Sequence, residues 1–270
     1  MRKRIWFYIL LSIVMAGQLL ISDGSELRAE AAEISEIEQD QPVSILFIGN
    51  SLTYYRAKGK PNYFLDYFEK LSKAGGHEVS ISRVTRSGQK LKNFADPDHK
   101  DGKKVYQAIA SKKWDYVVLQ ENTNYAVGYN STFQKAAKKL AEAIYANNPE
   151  TTIVYNCTWA FENGGRVNGR RYSYKSMQKQ MNANYQQAAL ATDGMISWAG
   201  SAFYNCRREH PGLKLYVSDQ NHPSRYGAYL SACSMYSTIF DESPHKLGYY
   251  SVCGKNKGRY LQKIAAKVNL

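Results

Sequence analysis

The chain has 270 residues, of which 44% are hydrophobic and 22% charged. That composition suits a globular protein with one substantial core and excludes collagen-like, low-complexity and largely disordered architectures. Lys and Arg number 36 against 23 Asp and Glu, a formal net charge of +13, and 22 Tyr stand beside 9 Phe and 4 Trp. A Tyr-rich surface can stack on sugar rings, although Tyr also serves as half-buried filler.

Met1-Arg2-Lys3-Arg4 is a basic start, followed by an apolar stretch over residues 5–21 and by Arg28-Ala29-Glu30-Ala31-Ala32 with A-x-A spacing. This is the order of a secretory signal peptide, expected over residues 1–32. The stretch is short for a membrane span. Contact with a membrane is therefore expected only through this segment, if it stays uncleaved. Glu33, Glu36, Glu38 and Asp40 make residues 33–41 an acidic linker, and residues 42–270 the folded domain. A basic, secreted or cell-surface domain meets anionic wall polymers and acidic polysaccharides first. Its basic residues are scattered rather than set in a nucleic-acid-binding motif, so no nucleic acid is expected as a partner.

The apolar, β-branched run at 43–48 predicts a strand, residues 62–74 a helix, and the alternation at 79–84 a second strand. A helix at 103–112, a buried strand at 115–120 and an amphipathic helix at 132–147, stopped by Asn148-Pro149, come next. A strand at 151–155, a helix at 173–192 and a short strand at 195–198 follow. Helices at 224–240, N-capped by Ser224, and at 260–268 close the chain. Alternating helices and Val/Ile-rich strands predict a parallel sheet covered on both faces. In such sheets the ligand crevice lies beyond the carboxyl ends of the strands.

Chemistry-bearing residues occur at those ends. Gly49-Asn50-Ser51-Leu52-Thr53 follows the first strand, Arg86-Ser87-Gly88 the second, and Gln120-Glu121-Asn122-Thr123-Asn124 the third. Asp219 and His222 stand three residues apart, just before the helix at 224–240. Acyl transfer needs a nucleophile, a base, a carboxylate that orients the base, and donors for the oxyanion.

These residues resemble the SGNH (GDSL-type) hydrolases. Ile48-Gly49-Asn50-Ser51-Leu52-Thr53 is similar to the family's first block, with Asn50 in place of Asp. Gly88 is similar to the second-block glycine, and Asp219-x-x-His222-Pro223-Ser224 with Gly227-Ala228-Tyr229-Leu230 to the fifth block. The third block departs from the usual G-x-N-D, and either Asn122 or Asn124 offers an amide there. Asn122, met just after the strand ends, is the better placed to turn back toward Ser51. The resemblance implies an α/β fold, a flavodoxin-like three-layer α/β/α sandwich with a central mostly parallel sheet. It also implies Ser51, His222 and Asp219 as the catalytic triad. The N–H groups of Ser51 and Gly88 and the amide of Asn122 would form the oxyanion hole, with no cofactor and no metal. No G-x-S-x-G elbow is present, which separates the chain from the α/β-hydrolases.

The polar segment 158–172 is expected to be a long loop over the crevice, where Trp159 and Tyr172 could stack on a sugar. Cys157, Cys206, Cys233 and Cys253 permit three disulfide pairings in an exported chain. They lack the spacing of metal ligands. Residues 96–102 glance at a calcium loop, but Lys100 and Gln107 occupy ligand positions, so a solvated turn is expected. The function expected is that of an exported serine esterase deacylating, foremost deacetylating, a carbohydrate or cell-wall polymer. The alternatives are an acyltransferase with the same site and a non-catalytic polysaccharide-binding protein on the same scaffold.

Overall fold

Ile45, Leu46, Phe47 and Ile48 are four successive apolar residues, and all four are fully buried. Successive strand side chains point to opposite faces, so this run needs a core on each side of its sheet. Ile45 and Phe47 enter one cluster, Leu46 and Ile48 the other. The computed structural model of the chain describes residues 41–55 and 63–270. Except for Gln41, the expected signal peptide and acidic linker lie outside the described residues. Residues from Pro42 to Leu270 form one unit.

The strands are β1 (Val43–Gly49), β2 (Val79–Thr85), β3 (Tyr116–Leu119), β4 (Thr152–Asn156), β5 (Gly165–Val167), β6 (Arg170–Tyr172) and β7 (Met195–Ser197). Five of them form a sheet in the order β2-β1-β3-β4-β7, every pair parallel. This is the doubly wound, flavodoxin-like order, with β7 as the fifth strand.

The helices are α1 (Tyr63–Ala74), α2 (Leu91–Phe94), α3 (Lys100–Ala110), α4 (Thr123–Gly128), α5 (Asn130–Asn147), α6 (Tyr174–Ala191), α7 (Ala199–Glu209), α8 (Arg225–Phe240) and α9 (Lys255–Asn269). Helices α1, α7, α8 and α9 cover one face through Phe68, Phe203, Tyr229 and Leu261, among others. Helices α2 to α6 cover the other, through residues such as Phe94, Val105, Val127, Leu140 and Tyr185. The result is the three-layer α/β/α sandwich. Ser224 caps α8, its side chain accepting from the N–H of Tyr226 and Gly227.

The structure differs from the sequence expectation in several local places. α3 starts at Lys100, where the His99 ring accepts from Asp101 N–H, three residues earlier than the apolar spacing suggests. α9 starts at Lys255, well before residue 260. The segment 158–172 is not simply a loop, because β5 and β6 pair as an antiparallel hairpin around Asn168-Gly169. Both turn residues have positive φ, 48° and 76°, the backbone of the two-residue turn that Asn-Gly favours. All four cysteines are buried free thiols. Among the described residues no helix is long and apolar enough to cross a membrane.

Candidate active site

The carboxyl end of β1 delivers Ser51 to the rim of the sheet. Asn50, 2% exposed, fixes the turn. Its N–H donates to Gln120 Oε1 at 2.9 Å, its Oδ1 accepts from Leu52 N–H at 3.0 Å, and its Nδ2 donates to the Gln89 carbonyl at 3.0 Å. Thr53 Oγ1 donates to the same Gln120 oxygen at 3.0 Å. A Cβ on Gly49 would stand 2.5 Å from Thr53 Oγ1 and 2.7 Å from Gln120 Oε1, so this close approach requires glycine. The last Asn50 bond also gives a reason for the departure from Asp. A carboxylate at this position has no proton to offer the Gln89 carbonyl, whereas an amide does.

Asp219 and His222 stand on a tight loop between Tyr216 and Pro223, which pair in an isolated antiparallel bridge. Val217 N–H donates to the His222 carbonyl at 3.0 Å, and Gln220 takes a left-handed φ of 61° inside the turn. Asp219 Oδ1 accepts the N–H groups of Asn221 at 2.9 Å and His222 at 2.8 Å. Its Oδ2 lies 2.6 Å from His222 Nδ1, and His222 Nε2 lies 2.8 Å from Ser51 Oγ. Desolvation works against the Asp219 charge, yet those two N–H groups and the imidazole hold its pKa below the ordinary 3.8. An ionised carboxylate only accepts, so Nδ1 carries the proton, and Nε2 of the neutral ring is left to accept from the Ser51 hydroxyl. Tyr55 stacks on the His222 ring, centroids 4.1 Å apart and planes within 16°.

Gly88 and Asn122 face Ser51 from the ends of β2 and β3. Gly88 has φ +68°, a conformation that favours glycine although its Cβ direction is open. Asn122 caps α4, its Oδ1 accepting from Asn124 N–H at 3.0 Å, which turns its Nδ2 toward the Gly88 carbonyl at 3.3 Å. Among the described residues no partner takes the N–H of Ser51 or of Gly88. Behind Asn122 lies Glu121, fully buried, whose Oε1 accepts from Leu91 N–H at 2.9 Å and Asn122 N–H at 2.6 Å. Burial pushes its pKa up to about 7. A cleft of ≈ 180 Å³ lies over the group, lined by Ser51, Gly88, Asn122, Asn124, Phe161 and His222 among others.

The structure thus brings Ser51, Gly88, Asn122, Asp219 and His222 together, and Asn124 to the same cleft. It does not bring Trp159 there. Trp159 is 1% exposed, stacks on Phe203 at 4.1 Å and 6°, and donates its Nε1–H to the Asn221 carbonyl at 2.8 Å. It braces the loop that carries His222 and has no face left for a sugar. Tyr172 is half-buried against the face covered by α2 to α6, with the Arg170 guanidinium 5.3 Å above its ring, and it does not line the cleft. Sequence reasoning met Gln120 and Glu121 at a strand end but gave them no role, and it did not single out Tyr55. The available hint was an uncharged-to-acidic pair, Gln120-Glu121, at a strand end whose preceding residues are all apolar. Among the described residues no His, Cys, Asp and Glu group is arranged to hold a metal. In the 96–102 segment, Asp101 instead accepts from the Gln89 side chain.

Residues 95–268 match the profile of a domain of unknown function, DUF4886. No match is found among curated proteins. Among solved structures, a DUF4886 family protein from Bacteroides uniformis is similar at 19% identity and TM-score 0.67, over 84% of this chain and 94% of that one. A candidate SGNH hydrolase from Slackia heliotrinireducens is similar at 23% identity and TM-score 0.61, over 74% of this chain and 100% of that one. The psychrotrophic esterase EstA from Pseudoalteromonas sp., in a structure inhibited by monoethylphosphonate, is similar at 14% identity and TM-score 0.53, over 74% and 97%. The architecture is therefore the SGNH hydrolase fold.

Proposed function

The chain belongs to the DUF4886 family, and within it we propose that this protein is a secreted or cell-surface serine esterase acting on an acylated carbohydrate or cell-wall polymer. The observation that carries this reading is the unbroken line of hydrogen bonds from Asp219 through His222 to Ser51, at the open end of a cleft.

In the proposed mechanism Ser51 Oγ attacks the ester carbonyl carbon while His222 Nε2 takes its proton. Asp219 holds the ring in the required tautomer and stabilises the imidazolium. The negative charge that develops on the carbonyl oxygen meets the N–H groups of Ser51 and Gly88 and the Asn122 amide. The tetrahedral intermediate collapses to an acyl-Ser51, and the leaving alkoxide receives the proton from His222. Water, deprotonated by the same imidazole, then releases the acyl group as a carboxylic acid.

The size and lining of the cleft favour short acyl groups. At ≈ 180 Å³, with Asn50, Ser87, Asn122, Thr123, Asn124 and Asn221 among its walls, it offers little apolar surface to a long chain. The carbohydrate reading draws support from the signal-like N-terminus and from the net charge of +13, which attracts anionic wall polymers.

A fluorophosphonate probe should label the wild-type chain at Ser51 and leave Ser51→Ala unlabelled. The protein should hydrolyse aryl acetate faster than aryl octanoate and release acetate from an acetylated polysaccharide. Ser51→Ala and His222→Ala should each lower kcat by roughly 10³-fold or more, because the triad works as a unit. An unlabelled, inactive wild type ends the esterase reading, and preference for octanoate ends the carbohydrate reading.

A further inference from the structure

Beside the cleft runs a second groove of ≈ 440 Å³. It shares Gly88, Asn122 and Asn124 with the cleft and is lined further along by Lys90, Tyr125, Tyr129 and Arg166. Tyr125 and Tyr129 are one helical turn apart, and their rings stack at 4.6 Å and 21°, with Tyr129 38% exposed. Lys90 Nζ lies 4.7 Å from the Tyr125 ring centroid and Lys92 Nζ 5.7 Å from it. Arg166 reaches the groove from the β5–β6 hairpin. No Asp or Glu lines the groove. Among the described residues no carboxylate forms an ion pair with Lys90, Lys92 or Arg166.

Taking the esterase reading as its premise, we propose that this groove is a subsite for an anionic sugar unit, which lies next to the acylated unit on the same polymer. The stacked tyrosines present a flat aromatic surface to a sugar ring. Lys90 and Arg166 line the groove without an ion pair to any carboxylate among the described residues, and meet a carboxylate or phosphate on that ring, with Lys92 adding its charge from beside Tyr125. A charge held here lies alongside the oxyanion group, since Asn122 and Gly88 line both spaces. A polymer seated in both would therefore present to Ser51 an ester next to its charged unit. Nucleic acid also offers anions and stacking rings, but it carries no carboxylic ester to place in the adjoining cleft, so an acidic glycan fits both spaces better.

The test has a binding arm and a turnover arm, both on the full chain. In the first, Ser51→Ala is titrated calorimetrically with de-esterified oligogalacturonate, a glycerol-phosphate oligomer, a neutral xylo-oligosaccharide and a short oligonucleotide. One or both anionic polymers should bind more tightly than the neutral sugar, and the comparison between them tells carboxylate from phosphate. Adding Lys90→Ala or Arg166→Gln should weaken that binding by about tenfold each, the size of one charge-assisted contact, and raised salt should weaken it further. In the second arm, the KM of each single variant on acetylated oligogalacturonate is compared with its own KM on aryl acetate, and the ratio should rise by a similar factor. Equal affinity for neutral and anionic sugars, or tighter variant-sensitive binding of the oligonucleotide, overturns the proposal. Oligogalacturonate binding without ester turnover leaves the subsite standing and removes the esterase. Aryl acetate turnover without anion preference does the reverse.

Discussion

Glu121 ties two parts of the site together through a single oxygen, and this makes a prediction with a defined pH signature. Its Oε1 holds the N–H of Leu91, at the start of α2, and of Asn122. Its Oε2 has no partner among the described residues. Burial raises its pKa from 4.5 to about 7, outweighing the lowering by the two N–H groups and by Lys90 and Lys92. The folded chain thus keeps this proton up to about pH 7, whereas the unfolded chain releases it near 4.5. Between these values the folded state binds more protons, so stability falls as pH rises through the window and levels off above it. Each pH unit of that window costs about 1.36 kcal/mol, so the whole loss is about 3 kcal/mol.

Glu121→Gln keeps the accepting oxygen and never ionises. Denaturant unfolding from about pH 4 to pH 8 should therefore show the wild type losing about 3 kcal/mol relative to this variant. Glu121→Ala instead strands two buried N–H groups, at about 1–3 kcal/mol each. It also frees Asn122 to move, so kcat on aryl acetate should fall by up to about 10²–10³, the worth of one oxyanion donor. Glu121→Gln should recover most of that activity. A difference between wild type and Glu121→Gln that stays flat with pH, or wild-type kcat in Glu121→Ala, would refute this account.

Other outcomes follow from the same geometry. Asn50→Asp keeps the acceptor for Leu52 N–H but sets a carboxylate against the Gln89 carbonyl; kcat/KM should drop by roughly tenfold, for a buried acceptor left unpaired. Trp159→Phe keeps the stacking on Phe203 and loses the bond to Asn221; kcat should fall by about tenfold for the lost hydrogen bond with KM unchanged, whereas a sugar platform would show its loss in KM. Asn122→Ala should lower kcat by about 10²–10³, while Asn124→Ala, whose side chain is exposed, should stay within about tenfold of wild type; the reverse pattern moves the oxyanion amide to Asn124. Asp219 has a depressed pKa, so its contribution to stability is present above the ordinary carboxylate range and is lost as pH falls through the folded value. An NMR titration of the Asp219 carboxyl carbon should place its midpoint below 3.8.

The sheet was legible because a parallel strand buried on both faces writes itself as a short run of apolar, β-branched residues, as 43–48 and 116–119 do. The long helices were legible by their spacing. Helices α2 and α4, with four and six residues, are too short to show a period, so only cap chemistry could announce them. Asn122 is such a cap, but an Asn at a strand end reads equally well as a turn or a site residue. The hairpin had a usable sign in Asn168-Gly169, overshadowed by the polar composition around it. Trp159 misled for a different reason. Loop position suggests exposure, and only the tertiary structure shows the indole sealed against Phe203. Likewise the four-cysteine count allowed disulfides, yet each thiol is buried in the core and unpaired.

The departures from the SGNH blocks at Asn50 and at Gln120 are not independent of one another, and Glu121, at the variable position of the third block, adds to the link. Gln120 Oε1 accepts from Asn50 N–H and Thr53 Oγ1, holding the turn that presents Ser51. Asn50 Nδ2 then reaches the Gln89 carbonyl, next to Gly88, and Glu121 holds Leu91 two residues further on. The loop that carries Gly88 is therefore held by Asn50 on one side and by Glu121 on the other. The Gln120 side-chain oxygen and the Asn50 amide N–H are groups that the ordinary Gly and Asp of the blocks do not provide. Hydrogen-bonded groups that share partners are energetically coupled, so deletions within them do not add. A replacement at one block thus makes sense with its counterpart at the other. The third block, which looks degenerate when read alone, carries the side chains that hold the first two in place.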